Sequence, residues 1–176
     1  LQFFIDHEVP QVKFVDRTFN CKHSHSMAIW TYLKEHDRGK TNFHFEVAAD
    51  LLNEEELELI ASMRPGLIQL EIGIQSTNPE TITEIRRKMN FEEVKRIVKR
   101  VQEKGNVHQH LDLIAGLPYE DYERFAQSFR DVYALHPEQL QLGFLKVLKG
   151  SCMHGKTEDY QLLYQDRPPF EVLSTK

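Results

Sequence analysis

The chain has 176 residues, 40% of them hydrophobic, which is enough for an ordinary core and fits one domain better than two. Lysine and arginine number 22 against 27 aspartates and glutamates, a formal charge of -5, and that balance argues against nucleic acid as a partner because phosphate-neutralising surfaces are basic. No apolar run approaches the roughly 20 residues that span a bilayer, and the opening LQFFIDHEVP lacks the basic region and cleavage pattern of a signal peptide, so the expectation is a soluble, cytoplasmic protein with no membrane partner.

The chain begins without Met and inside an apolar pattern (Leu1, Phe3, Phe4, Ile5), as a piece cut from a longer protein would. From there, stretches of period 2 alternate with stretches of period 3.6. Residues 11–16 (QVKFVD) read as a strand, 26–36 (SMAIWTYLKEH) as a helix, 43–48 (FHFEVA) as a strand and 54–63 (EEELELIASM) as a helix. The strand 67–74 (LIQLEIGI) follows, then helices over 79–87 (PETITEIRR) and 91–105 (FEEVKRIVKRVQEKG). The strand 107–116 (VHQHLDLIAG), the helix 119–136 and the strand 140–148 (LQLGFLKVL) complete the pattern. Asn78 can cap a helix with Pro79 at its first position, Pro118 with Glu120 and Asp121 suits another first turn, and Gly105 can end a helix. Strands alternating with helices at this spacing predict right-handed βαβ units and a parallel sheet of about five strands, covered on both faces. From Ser151 the pattern weakens, and the stretch around Pro168 and Pro169 reads as an extended tail packed on the domain.

In parallel α/β proteins ligands gather at the carboxyl ends of the strands. The polar residues predicted there are Asp16 and Arg17, Glu46, Gln75, Asp112, and Lys146 or Lys149. Any one of them would serve equally for a turn or a helix cap, but together they offer a ligand hydrogen-bonding groups from every strand. Gln75 stands out, because it precedes the cap Asn78 by three residues and follows Gly73, which allows a ligand close to the backbone.

The run LEIGIQSTNPETITEIRR (70–87), the earlier FHFEVAADLL (43–52) and the later HLDLIAGLP (110–118) resemble successive segments of radical SAM enzymes, in the part of the barrel shared with anaerobic coproporphyrinogen oxidase. With VKFVDRTFN (12–20) and LQLGFLKVLKGS (140–151), the chain is most similar to the subgroup that often carries a cobalamin-binding domain upstream. The resemblance covers residues 10 to 153 and implies a partial parallel (β/α) TIM-like barrel, about five strands of a six-stranded core, over residues 1–153, with 154–176 as a C-terminal tail. It also implies roles. Gln75 and Asp112 would bond the ribose hydroxyls of S-adenosylmethionine, Glu46 its amino group or ribose, Arg87 its carboxylate, and Ile114 would pack on adenine. The residue types suit these tasks, since a vicinal diol wants an acceptor plus an amide and a carboxylate wants a guanidinium fork.

Two departures accompany the resemblance. The family holds a 4Fe-4S cluster in a Cys-x-x-x-Cys-x-x-Cys loop, whereas this chain has only Cys21 and Cys152, too few for three thiolates. VDRTFN stands where many members have Gly-Gly-Glu or Gly-Gly-Thr-Pro, which leaves Asp16 and Arg17 without a role carried over. The expectation is a chain truncated before the cluster loop and inactive by itself, with the strand 11–16 an exposed edge open to self-association. In the intact protein the resemblance implies reductive cleavage of S-adenosylmethionine or, with cobalamin, methyl transfer; the substrate is not legible.

A rival reading starts from histidine. His44 and Glu46 share one strand face, and His108, His110 and Asp112 another, as a metal hydrolase would require. His108 and Asp112 are roughly 13 Å apart along a strand, too far for one ion, which leaves His110 with Asp112. His23 and His25 flank a candidate cap, Ser24. A third reading is a nucleotide-binding or scaffold domain without turnover. The basic residues around 86–100 alternate with glutamates and suit a charge-laced helix surface, and Phe125, Phe129, Val132 and Tyr133 suit core packing.

Overall fold

The computed structural model describes residues 1–175. Five strands, β1 (Gln11–Lys13), β2 (Asn42–Val47), β3 (Ile68–Gln75), β4 (His108–Ala115) and β5 (Gln139–Phe144), form one sheet in chain order. Every neighbouring pair is parallel. The helices are α1 (Gln2–Asp6), α2 (His23–His36), α3 (Glu54–Ala61), α4 (Pro79–Glu84), α5 (Phe91–Gln102) and α6 (Tyr122–Tyr133). The sheet curls: Lys13 on β1 reaches across β2 to the Glu71 carboxylate on β3 at 2.7 Å. The architecture is a partial (β/α) barrel.

The strand sequences separate two faces with a period of two. Phe43, Phe45 and Val47 of β2, Ile68, Leu70 and Ile72 of β3, and Leu111 and Leu113 of β4 point to the helices and are buried with Trp30, Leu33, Leu57, Ile60, Ile97 and Val98. The opposite face carries Lys13, His44, Glu46, Gln69, Glu71, His108, His110, Asp112 and Gln141. The expectation of a sheet covered on both faces is therefore corrected. Only one face is apolar, because alternation rather than a continuous apolar run is what β2, β3 and β4 contain.

Several boundaries differ from the sequence pattern for local reasons. α2 starts at His23, so Ser24 lies in its first turn and caps nothing. Asn78 precedes α4, but its amide Nδ2 donates to Thr81 Oγ1 and to the Tyr119 carbonyl instead of capping. α4 stops at Glu84 and Arg86 adopts φ +56, so Arg86 and Arg87 follow the helix instead of lying on it. Pro118 stays outside α6, whose cap is Asp121, accepting from Arg124 N at 2.9 Å. Of the stripe on α6, Val132 is buried and Phe125 and Phe129 pack at the core's margin, while Tyr133 is exposed. The basic residues of α5 pair as charge alternation predicts, Lys95 with Glu92, Arg96 with Glu93 and Glu54, Arg100 with Glu103.

The tail folds back. β6 (Leu163–Tyr164) and β7 (Val172–Ser174) pair antiparallel, and Val147 N donates to the Phe170 carbonyl at 2.9 Å, continuing the line of β5. Lys156 and Tyr160 both bond the Glu84 carboxylate, tying the tail to α4. Among the described residues, no helix is long and apolar enough to cross a membrane.

Glu56 is the most heavily used buried acceptor of the helical layer. It closes the α3 capping box with Asn53 and accepts from Ser26 Oγ at 2.5 Å, with His23 Nδ1 3.0 Å away. Glu56→Ala removes the box and leaves the Ser26 hydroxyl without its shortest acceptor. It should cost about 2–4 kcal/mol in urea unfolding; a loss below about 1 kcal/mol would show that the network is dispensable.

Candidate functional site at the carboxyl ends of the strands

The site is built around β3. Its ladder with β4 runs Gly73↔Asp112 and then Gln75↔Leu113, an extra residue that bulges the strand. Gln75 sits at φ +72, a conformation unfavourable for a side-chain-bearing residue. Gly73 leaves room beside it, because a Cβ there would overlap the Gln75 amide nitrogen in its present rotamer. Arg87, brought back by the turn after α4, donates from Nη2 to the Gly73 carbonyl. The glycine thus lets an amide and a guanidinium converge on one strand end.

A buried polar network holds the loops that follow. Ser76 Oγ and Ser128 Oγ donate to Glu120 Oε1 at 2.5 and 2.9 Å, Thr77 N donates to Ser128 Oγ at 3.0 Å, and Thr81 Oγ1 donates to the Pro118 carbonyl at 2.8 Å. These bonds lock the β3–α4 loop to the β4–α6 loop. Burial pushes the Glu120 carboxyl above its usual range although both serines oppose it.

The inward carboxylates differ in charge state. Burial alone would raise Glu71, but Lys13, then His44 and His110, outweigh it and hold its carboxyl below the ordinary range. Asp112 is pushed up to about 7 by burial, then by the Glu71 charge. Glu46 is raised by burial and by Glu71. Burial lowers the His44 and His110 imidazoles, and it lowers the Arg87 guanidinium against the pull of Asp50 and Glu46.

Two cavities flank this strand end. One of about 290 Å³ is lined by Gly73, Arg87, Ala48 and Asp50; the other, about 650 Å³, by Gln75, Asp112, Ile114, Gln141, Lys146 and Glu171 of the tail. A third, of about 600 Å³, between Pro118, Arg124 and Tyr160, contains none of Glu46, Gln75, Arg87 or Asp112. The structure therefore brings Gln75, Asp112 and Ile114 together, puts Arg87 against Gly73, and leaves Glu46 within electrostatic reach of Arg87 and Arg17. Asp16 is exposed on the loop after β1 and joins neither cavity. Glu71 and Lys13 were not legible as site residues from strand-end position; the signal was parity, since Glu71 alternates with Leu70 and Ile72. Of the histidines, His110 is brought next to Asp112, its Nε2 3.0 Å from Oδ1 though out of hydrogen-bond alignment, and His44 stands beside Glu71.

The fold is a parallel (β/α) half-barrel with a polar concave face and a candidate ligand site at its strand ends. Residues 5–132 match the family described as the Radical SAM superfamily, and the chain belongs to that superfamily. It is 33% identical over 98 residues to oxygen-independent coproporphyrinogen III oxidase of Paracoccus denitrificans, a match covering 56% of this chain and 22% of that one. Among solved structures, coproporphyrinogen III oxidase (HemN) from Escherichia coli superposes with TM-score 0.67 at 20% identity, over 84% of this chain and 36% of that chain. The radical S-adenosylmethionine methyltransferase TsrM from Kitasatospora setae, with cobalamin and a 4Fe-4S cluster bound, gives TM-score 0.68 at 16% identity, over 81% and 27%. The chain spans about a quarter of the length of the curated relatives it matches.

Two outcomes test the site's construction. Gln75→Gly should raise stability by about 1 kcal/mol, because glycine relieves the left-handed backbone; a destabilised variant would mean that the side chain contributes more than its conformation costs. Glu120→Gln keeps the acceptor for Ser76 and Ser128. A raised folded pKa destabilises the protein as pH climbs above the unfolded value of 4.5, so the variant's melting temperature should exceed wild type at pH 8 and lose that advantage near pH 4.

Proposed function

We propose that this chain is the S-adenosylmethionine-binding part of a radical SAM enzyme's barrel, with residues 1–153 forming the barrel portion and 154–176 a tail across its mouth. The observation that carries the reading is a pair of buried acceptors, Gln75 Oε1 and Asp112 Oδ1, that lack a well-aligned hydrogen-bond donor and belong to residues lining one cavity. Buried acceptors without partners are costly and mark a place where a ligand donates. The 2′ and 3′ hydroxyls of a ribose are such donors. Ile114, on the same cavity wall, offers an apolar surface for adenine. Arg87 and Glu46 would bind the carboxylate and amino group of the methionyl end. Bound S-adenosylmethionine supplies a sulfonium whose carbon–sulfur bond is broken reductively in this superfamily.

The chain's own thiols do not fit the cluster. Cys21 and Cys152 are both free and exposed, and a 4Fe-4S cluster of the family's kind takes three thiolates. For these 176 residues the proposal is therefore restricted to binding, and cleavage belongs to the reading of the whole protein. Likeness to TsrM at 16% identity speaks to fold and brings no cobalamin to this chain. A binding domain without turnover is the second reading, favoured for the chain alone by its two-cysteine inventory.

Isothermal titration of the chain with S-adenosylhomocysteine tests the site. Asp112→Ala and Arg87→Ala should each weaken binding about 10- to 100-fold, the loss of one or two buried hydrogen bonds, with melting temperatures checked alongside. Binding that is unchanged in well-folded Asp112→Ala, or undetectable in the wild type, would sink the assignment.

A further inference from the structure

Beneath the strand-end residues, three side chains converge one layer deeper in the half-barrel. His44 precedes Glu46 by two residues, Glu71 precedes Gly73 by two, and His110 precedes Asp112 by two. Period-two alternation therefore puts all three on the concave face, about 7 Å further from the carboxyl ends. In the ladder Glu71 stands beside His110, while His44 stands two residues earlier, beside Gln69, and the curl of the sheet brings its ring up to Glu71. One ring nitrogen from each histidine and a Glu71 carboxylate oxygen lie within 4.8 Å of one another.

The hydrogen bonding of these groups is incomplete. His44 and His110 are 7% and 6% exposed, and the Nε2 atom of each lacks a hydrogen-bond partner. Carboxylate oxygens are nevertheless close: Glu71 Oε2 is 2.8 Å from His44 Nε2, and Asp112 Oδ1 is 3.0 Å from His110 Nε2. The distances are those of hydrogen bonds and the directions are not. Two ligands held about 2.1 Å from one ion stand roughly 3.0–3.4 Å apart, near the spacing of His44 and Glu71. The widest of the three separations exceeds that span by at most roughly 1–2 Å, which rotation of an imidazole about its side-chain torsions can close.

We propose that His44, Glu71 and His110 form a binding site for one divalent metal ion of the Zn2+ type, separate from any iron–sulfur cluster. Two imidazoles and one carboxylate suit Zn2+, Co2+ or Fe2+ and not the all-oxygen preferences of Mg2+ or Ca2+. Three protein ligands leave a fourth position facing the barrel interior, open to water or to an oxygen of a substrate. Lys13 is the cation that now neutralises Glu71, at 2.7 Å. Its side chain is 53% exposed, so the ammonium can swing to solvent when an ion takes its place.

Co2+ titrated into the tag-free chain, followed by its visible d–d absorption, reads the site directly. One equivalent should bind with a four- or five-coordinate spectrum. His44→Gln and Glu71→Gln should each weaken it by about tenfold or more, with circular dichroism unchanged. Lys13→Met should tighten it several-fold, a gain that no unfolded or merely structural variant would produce and that decides the matter should either ligand variant fail to fold. An unchanged affinity in the folded ligand variants would place the ion elsewhere, on surface groups such as Cys21 and His23. No Co2+ absorption in either wild type or Lys13→Met would also overturn the site.

Discussion

A strand has two faces, and in this protein they are given to opposite tasks. Phe43, Phe45, Leu70, Ile72, Leu111 and Leu113 point outward to the helices and are buried almost completely, so each contributes about 1.5–3 kcal/mol by leaving water. Their sequence neighbours, His44, Glu46, Glu71, His110 and Asp112, must then point inward. A one-residue slip of β3 would exchange Leu70 and Ile72 for Glu71 and Gly73 in the core. The apolar layer thus fixes the register, and the register places every group in the polar concavity. The site is positioned by residues that take no part in it.

One strand end escapes this alternation. Beyond Gly73 the β3 ladder gains a residue, and Gln75 is held at positive φ. Such a conformation persists only where the surroundings over-determine it. Ser76, the next residue, supplies that constraint, with its hydroxyl donating to Glu120 and accepting from Asn78 N at 2.9 Å. Thr77 adds a donation from its hydroxyl to Asp131 at 2.9 Å. The bulge is thus anchored on its carboxyl side to the loop before α6 and to α6 itself, and the Gln75 side-chain carbonyl oxygen is left without a hydrogen-bond partner.

Most of the architecture was legible in the sequence because periodicity reports burial. The five strands and their order of alternation with helices follow from apolar spacing, and Gly73, Gln75 and Asp112 were identifiable from their place at strand ends. What escaped depends on geometry across the chain. Arg87 reaches Gly73 only because Arg86 turns left-handed after a shorter α4. Asn78 has the composition of a cap, yet the nearby Tyr119 carbonyl draws its amide away. The pairing of His44 with Glu71 instead of Glu46 comes from sheet curvature, which no single strand encodes. Asp16 has the right residue type at the right place in the pattern, but β1 ends at Lys13, its last bond to β2 being Phe14 N to the His44 carbonyl, and Asp16 is exposed beyond it.

The inward charges explain why the concavity is not simply acidic. Three carboxylates, Glu46, Glu71 and Asp112, share the concavity with Lys13, and Glu46 also lies within reach of Arg87 and Arg17. A single ammonium at 2.7 Å neutralises Glu71 and holds it ionised. Burial, added to that fixed negative charge, makes ionisation of the next carboxyl unfavourable and pushes Asp112 up to about 7. Adjacent carboxylates so coupled titrate as a unit. Glu71 therefore acts as an acceptor at neutral pH while Asp112 retains both donor and acceptor character. Curvature, burial and one lysine are sufficient to produce the difference from chemically similar side chains.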